Sequence, residues 1–174
     1  KNRNTRRSSS LSFFLPFSSF AMANPVAVLK RNGETIFSKV EKINAELLIL
    51  TYGSLVAQLI KDYEDINAVN QQLDTMGYNI GVRLIDEFIS RSGQGRCANF
   101  KETAEVIAKV GFKMFLGVTA NVANWSPDDK EFSLIFDENP LAEFVDLPPS
   151  CNALFYSNLL CGVLRGALEM VQIR

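Results

Sequence analysis

The sequence predicts an α/β chain of the α+β kind, in which four main helices accompany a small antiparallel sheet. Apolar residues recur at helical spacing in four stretches, one of which carries no charge for 14 residues. Two β-prone segments flank a Ser-Pro-Asp-Asp turn and predict a hairpin. Hydrophobic residues occupy 47% of the 174 positions, which is enough for one domain with a sizeable core.

The charge of the chain gives no indication of a nucleic-acid partner. The formal net charge is −1, and basic residues are not interleaved with aromatic ones as in RNA-binding surfaces. The first 21 residues contain four basic and no acidic side chains, so the rest of the chain is mildly acidic.

The absence of histidine narrows the chemistry that is open to the chain. It removes the commonest general base and metal ligand, and it excludes Ser-His-Asp and Cys-His nucleophiles. The three cysteines, Cys97, Cys151 and Cys161, are widely spaced, so neither a zinc site nor a disulfide framework is expected. Free thiols suit a reducing compartment. We expect a protein that is not an enzyme and holds no metal.

Residues 1–23 have the layout of a secretory signal peptide. A basic stretch is followed by the apolar run LSFFLPFSSF and by the small-x-small sequence Ala-Met-Ala. The alternative, which the free thiols favour, is that translation starts at Met22 and residues 1–21 are upstream sequence. Under either interpretation we expect a disordered leader over residues 1–37 and a folded domain over 38–174.

The first helix is expected to begin at a capping box, Ser38 to Glu41, and to run to about Asp62. Its uncharged part, residues 47–60, is too short to cross a bilayer. It is apolar nearly all round, so both sides should be covered. We expect one side to meet the core of the domain and the other to meet a partner subunit.

A second helix is expected over about residues 66–90, with Gly77 as a candidate kink. The Ser-Gly-Gln-Gly that follows lacks the Gly-Lys-Ser/Thr of a phosphate loop and is interpreted as a chain break. A third helix is expected over about residues 100–116, capped by Asn99 with Glu102 in the reciprocal position.

The third helix carries a stripe of small residues at four- and three-residue spacing: Ala104, Ala108 and Gly111. Such a stripe either admits close contact with another helix, which is the commoner case, or leaves a groove. A fourth helix is expected over about residues 152–172. Small residues make it thin on one side, and Cys161 is expected to be buried as a small hydrophobe. The hairpin between these helices is expected over residues 121–136.

Cys97 is the thiol of most chemical interest. Arg96 precedes it, and the expected cap of the third helix follows two residues later. A positive side chain and a helix N-terminus both favour the thiolate form of a cysteine. A thiolate at this position could be acylated, could be oxidised, or could have no role. Cys151 is expected to be a loop thiol. The acidic pairs near Asp62 and Asp86 are interpreted as solvated helix faces rather than acid–base pairs.

Six long segments in order resemble one known family, the TRAPP complex subunit 3 (Bet-three type) family of small TRAPP subunits. They cover most of residues 45–172, and they are LTYGSLVAQLIKDYED, MGYNIGVRLIDEF, SRSGQGRC, KETAEVIAKVGFKMFLG, NWSPDDKEFSLI and YSNLLCGVLRGALEMVQ. The resemblance implies an α/β plait in which helices pack on one face of a small antiparallel sheet. It also implies a non-catalytic scaffold subunit of the TRAPP vesicle-tethering complex.

The resemblance extends to partners and location. Family members pair with other small TRAPP subunits, as hetero-oligomers or as a homodimer. The complex promotes nucleotide exchange on a Rab-type GTPase in ER-to-Golgi transport. The expected location is therefore the cytoplasm, peripheral to the membrane of the cis-Golgi and the ER–Golgi interface. Neither nucleic acid nor a dissociable cofactor is implied.

The resemblance also assigns a site. The cysteine of the family's Gly-Arg-Cys carries a palmitoyl-type acyl chain inside an apolar channel, which corresponds to Cys97 beside Arg96. A small residue at the position of Gly111 borders the channel, so Ala104, Ala108 and Gly111 become candidates for its wall. The alternative function is a carrier that binds exchangeable lipid or fatty acyl chains. An acyltransferase that uses Cys97 lacks a base and is the weakest hypothesis.

The chain departs from the family pattern at both ends. The resemblance does not include the segment before about residue 38. The family continues for some twenty to thirty residues beyond the last helix with further strands, whereas this sequence stops at Arg174. We therefore expect a C-terminally truncated domain with an incomplete sheet and an open sheet edge.

Overall fold

The structure, a computed structural model, describes residues 24–171. Its elements in chain order are α1 (Pro25–Lys39), α2 (Ala45–Tyr63), α3 (Ile66–Ser92), α4 (Phe100–Val106), a π-helical segment (Ile107–Gly111), α5 (Phe112–Leu116), β1 (Asn121–Ala123), β2 (Ser133–Ile135), a 3₁₀ turn (Pro149–Cys151) and α6 (Asn158–Met170). The strands pair antiparallel, with Val122 opposite Leu134. The expected fold class, mostly helical with a small antiparallel sheet, is confirmed.

The first element corrects the expected leader. Residues 25–37 lie in α1 and are not disordered. Asn24 caps this helix, because its side-chain oxygen accepts a hydrogen bond from the Val26 N–H at 3.1 Å, and Pro25 occupies the first turn, where its missing N–H costs nothing. The signal-peptide layout and the alternative start at Met22 concern residues outside those that the structure describes.

The capping box expected at Ser38 is also wrong. Ser38 lies near the end of α1, where its hydroxyl donates to the Thr35 carbonyl at 2.8 Å. The chain is extended at Val40, and α2 begins only at Ala45. Asn44 caps α2 by accepting a hydrogen bond from the Glu46 N–H at 2.7 Å.

Helices α3 and α6 pack backbone against backbone. A Cβ atom built on Gly77 or Gly81 of α3 would collide with a carbonyl oxygen of α6, and one built on Gly162 or Gly166 would collide with a carbonyl oxygen of α3. The predicted thin side of the last helix is therefore confirmed. Gly77 serves this contact and not a kink, since α3 continues unbroken to Ser92.

Arg165 of α6 reinforces this contact. It forms an ion pair with Asp74 of α3, and its guanidinium carbon lies 4.8 Å from the centre of the Tyr78 ring. Glu169 lies one turn later on α6, but the carboxylate that pairs with Arg165 belongs to the neighbouring helix. The contact is thus specified by both backbone shape and charge.

Two apolar clusters form the core. The larger joins the buried face of α2 to α3 and to the segment before α6, and contains Tyr52, Val56, Leu59, Val69, Leu73, Leu141, Cys151, Leu154 and Tyr156. The smaller lies where the π segment and α5 meet the hairpin, and is built on Ala108, Phe112 and Ala120.

Two cysteine predictions need correction. Cys151, expected to be a loop thiol, lies in the 3₁₀ turn and is buried in the larger cluster. Cys161 is exposed, because its neighbour Gly162 occupies the position that faces α3. Between residues 24 and 171, no helix combines the length and apolar character that crossing a membrane requires.

Candidate functional site

Cys97 lies in the loop between α3 and α4. Gly93 ends α3 in the left-handed conformation, at φ 59°, and Asn99 begins α4 by accepting a hydrogen bond from the Glu102 N–H at 2.8 Å. The Glu102 carboxylate in turn accepts a hydrogen bond from the Ala98 N–H at 2.5 Å. A capping box would use the N–H of Asn99, the next residue, as this donor. These bonds hold the backbone beside Cys97, whose side chain is half-buried.

Arg96 is exposed beside Cys97. A Cβ atom built on Gly95 would meet no other atom within 4 Å, so the segment before the thiol is open on this side. The structure therefore brings the thiol and the guanidinium of Arg96 together only as chain neighbours. Arg96 lies on the surface instead of lining an enclosed space.

The small-residue stripe is divided by the π-helical segment. Ala104 and Ala108 are fully buried, and Ala108 packs with Phe112 and Ala120 toward the hairpin. Gly111 instead faces α3: a Cβ atom built there would lie 4.0 Å from the Phe88 ring. Glycine therefore leaves space for one methyl-sized group between Gly111 and Phe88, at a place that we call the α3–π seam.

The π segment is held in place by its contacts with the start of β1. The Ala108 carbonyl accepts a hydrogen bond from the Ala120 N–H at 3.0 Å. The Lys109 ammonium donates to the Ala120 carbonyl at 2.6 Å and to the Asn121 side chain at 2.9 Å. π-Helical turns inside helices are frequent at functional sites. No signal in the sequence identified this turn, because its hydrogen bonds come from residues 11 and more positions away.

An aromatic cluster lies just after Cys97 in the chain. Phe100 at the start of α4 packs edge-on against Trp125 and Phe132 of the hairpin, with ring centres 5.9 and 5.3 Å apart. Lys101 pairs with Asp129 at 2.8 Å, in the turn of the hairpin. A hydrogen bond from the Ser126 hydroxyl lowers the pKa of Asp128 in the same turn. The cluster ties the hairpin to the beginning of α4.

Helix α2 has one covered and one uncovered apolar side. Leu47 and Leu50 are 62% and 60% exposed, so the expected cover on the second side is not provided by the described part of this chain. An open groove of about 300 Å³ runs along this side and is lined by Ile49, Leu50, Gly53, Ser54, Ala57, Phe144 and Val145.

Two tyrosines lie beneath this groove. The Tyr52 hydroxyl donates to the Tyr156 carbonyl, and burial raises the pKa of Tyr52 well above its usual range. Burial also raises the pKa of Tyr156, whose hydroxyl oxygen lies 3.5 Å from a Cβ atom built on Gly53. Among the described residues, the Tyr156 hydroxyl is one of the few buried side-chain polar atoms without a hydrogen-bond partner.

The acidic pairs near Asp62 and Asp86 make local contacts within their own helices. Glu87 pairs with Arg91 one turn later on the exposed face of α3, at 2.5 Å. Within residues 24–171, Cys, Asp and Glu side chains do not gather into a group of three that could hold a metal ion.

Comparisons with known proteins agree with this architecture. Residues 48–174 match the family model described as "Transport protein particle (TRAPP) component". The chain is 64% identical over 143 residues to a trafficking protein particle complex subunit 3 from Dictyostelium discoideum, covering 82% of this chain and 77% of that one. It is 57% identical over 148 residues to the subunit BET3 of Saccharomyces cerevisiae, covering 83% and 77%.

A solved structure is similar in both sequence and fold. It is the crystal structure of a trafficking protein particle complex subunit 3 from Naegleria fowleri covalently bound to palmitic acid. The TM-score is 0.71 and the identity 63%, over 75% of this chain and 81% of that one. With the family model and these relatives in agreement, the chain belongs to the family of TRAPP components and is similar throughout its matched length to subunit 3.

Proposed function

We propose that this chain is a non-catalytic scaffold subunit of the TRAPP vesicle-tethering complex and carries a palmitoyl-type acyl chain on Cys97. The observation that carries the proposal is the similar structure, which is 63% identical and is described as covalently bound to palmitic acid. Cys97 suits this role because it is half-buried in a loop that is fixed at both ends.

Burial of the acyl chain is energetically favourable. A chain of about sixteen carbons gains roughly 12 kcal/mol, before ordering costs, at about 0.8 kcal/mol per methylene removed from water. The α3–π seam is the proposed route, because Gly111 leaves room beside Phe88 where a larger side chain would fill it. An enclosed acyl chain then acts as part of the core and not as a membrane anchor.

Two of the other candidate wall residues have a different role in this arrangement. Ala104 and Ala108 are fully buried, and Ala108 lies in the cluster beneath the hairpin. They permit close packing of the helix that carries Gly111, while Gly111 borders the proposed route itself. Arg96 lies on the surface beside Cys97 and does not border this route.

Intact-mass spectrometry of the chain purified from eukaryotic cells tests the attachment. We expect a mass gain of one palmitoyl group, which neutral hydroxylamine removes by attacking the thioester carbonyl and releasing the thiol. Cys97→Ser should lack the adduct, whereas the matched control Cys161→Ser, at an exposed thiol, should keep it.

Other outcomes of this experiment contradict the proposal in distinct ways. An unmodified mass before hydroxylamine treatment would refute acylation. A fatty acid that is lost on denaturation alone would indicate the alternative function, a carrier with exchangeable lipid. An acyl group that turns over on added acyl donors would indicate a transferase.

We propose that the uncovered side of α2 binds another small TRAPP subunit, or a second copy of this chain. The exposed Leu47 and Leu50 and the groove beside Phe144 form an apolar surface of the kind that subunit interfaces cover. The Tyr156 hydroxyl beneath Gly53 has no hydrogen-bond partner among residues 24–171, and a polar group of a partner that closes the groove could supply one.

The role of the complex is proposed from the family. We propose that it promotes nucleotide exchange on a Rab-type GTPase in ER-to-Golgi transport, at the cytoplasmic face of the cis-Golgi and the ER–Golgi interface. Purification of the tagged chain from cells tests this role. We expect other small TRAPP subunits to co-purify and the purified assembly to accelerate nucleotide release from the GTPase. Recovery of a lone monomer would count against it.

A further inference from the structure

Helix α1 lies outside the part of the chain that matches the family model, which begins at residue 48. It nevertheless packs on the elements that border the proposed acyl route. It contacts α4, the π segment and α5, and it also contacts α3. One helix therefore bridges both sides of the α3–π seam.

The closest contact of α1 is made by Gly33. A Cβ atom built on Gly33 would collide with the carbonyl oxygen of Lys109 in the π segment and would lie 3.3 Å from the Cβ of Lys113. Glycine inside a helix costs roughly 1 kcal/mol relative to alanine. Its position here lets the backbone of α1 approach the π segment directly.

A second contact fixes the C-terminal half of α1. The Lys113 side chain is only 15% exposed, and its ammonium lies 3.0 Å from the Glu34 carboxylate and 4.9 Å from the centre of the Phe37 ring. It also donates to the Gly117 carbonyl at 3.1 Å. Phe37 packs on Gly117, so α1 is held to α5 by both charge and an aromatic contact.

An opening remains at the C-terminal end of α1. A groove of about 500 Å³ lies between this end of the helix, including Ile36 and Val40, and Arg91 and Ser92 at the end of α3. That volume falls within the roughly 300–1,000 Å³ typical of small-ligand clefts. Ser92 is followed directly by the loop that carries Cys97.

We propose that α1 is a strap that closes the α3–π seam from outside and retains the acyl chain on Cys97. The inference rests on the proposed acylation of Cys97. With the strap bound to the π segment, the seam is closed on the side that α1 covers, and the acyl chain is held inside it. When α1 detaches, the seam opens on the side where contacts of Gly33 and Lys113 hold α1 against the π segment and α5.

Accessibility of the thioester under native conditions tests the strap. The acylated full-length chain is treated with neutral hydroxylamine, and loss of the acyl group is followed over time by intact-mass spectrometry. Gly33→Leu should force α1 away from the Lys109 carbonyl, although leucine favours the helix itself, and should speed acyl loss by about tenfold through local opening. Arg31→Leu, on the exposed side of α1, should leave the rate unchanged.

A second variant tests the strap independently, in case Gly33→Leu fails to fold. Glu34→Lys places a like charge opposite Lys113 at a half-exposed position and should also speed acyl loss, by a smaller factor. Equal rates for wild type, Gly33→Leu and Glu34→Lys would overturn the strap while leaving acylation intact. A wild-type chain without any acyl group would remove both proposals.

Discussion

The α3–α6 contact and the α3–π seam both depend on small residues, with opposite consequences. At the contact, Gly77 and Gly162 bring two helix backbones together so closely that a methyl group on either would collide with a carbonyl oxygen of the other helix. At the seam, a methyl group on Gly111 would lie at an ordinary 4.0 Å from Phe88. Glycine thus closes one helix interface and leaves a gap in the other. The first supports the fold, and the second is where we propose that the acyl chain lies.

The largest effect is expected at the closed interface. Gly162→Val should lower the free energy of unfolding by about 3 kcal/mol or more, because α3 and α6 must separate to admit the side chain. Urea denaturation measures this loss. Gly95→Ala, where the new Cβ meets no atom within 4 Å, should change stability by less than about 0.5 kcal/mol. Wild-type stability in Gly162→Val would mean that the two backbones are not in contact.

The next effect concerns the acyl chain that we propose for the α3–π seam. Cys97→Ser should remove the acyl chain and lower the melting temperature by about 5 °C or more relative to the acylated chain, since about 2 kcal/mol corresponds to such a shift at this length. Differential scanning calorimetry of both proteins, purified from the same cells, measures the change. Cys161→Ser is the control at an exposed thiol. Identical melting temperatures for acylated wild type and Cys97→Ser would argue that the acyl chain is not part of the core.

Gly111→Leu is expected to change stability less, but to lower strongly the fraction of molecules that are acylated at Cys97. The new side chain fills the gap beside Phe88, so Cys97 should remain mostly unmodified when the protein is made in cells. The unacylated protein should stay within about 1 kcal/mol of unacylated wild type, because a Cβ atom on Gly111 would make only ordinary contacts, 4.0 Å from the Phe88 ring and from the Val106 carbonyl oxygen. Mass spectrometry gives the occupancy and urea denaturation the stability. Full acylation of Gly111→Leu would place the acyl route elsewhere.

The smallest effect on the isolated domain is expected at the exposed side of α2. Leu50→Glu should change the free energy of unfolding by no more than about 0.5 kcal/mol, because Leu50 is 60% exposed. It should still abolish co-purification of other small TRAPP subunits, since a charge would enter an apolar interface. Gln71→Glu makes the same charge change on an exposed position of α3 and should retain them. Unchanged partner recovery in Leu50→Glu would show that another surface binds them.

Elements with strong local signals could be predicted from the sequence. Asn99 caps α4 as predicted, and the paired segments around Val122 and Leu134 form the predicted hairpin. Local hydrogen-bonding chemistry decides these boundaries, so a single sequence contains the information. The site loop could be located for the same reason, because Cys97 is fixed by the nearby cap.

Features that depend on distant partners could not be predicted. Ser38 and Glu41 have the spacing of a capping box, but α1 docks on α5 and includes Ser38 in its last turn. The exposure of Cys161 follows from which face of α6 meets α3, and the orientation is set by glycines on both helices. The π segment depends on the Ala120 N–H and on Lys109, which meet only after the chain has folded. A small residue alone does not reveal whether it closes a contact or leaves a space.

We propose above that an acyl chain on Cys97 occupies the α3–π seam. A high-resolution crystal structure of the acylated full-length chain tests this most directly. We expect continuous electron density from the Cys97 Sγ atom into the protein, passing between Gly111 and Phe88. Density that leaves Cys97 toward solvent, with Phe88 packed directly on Gly111, would contradict the account.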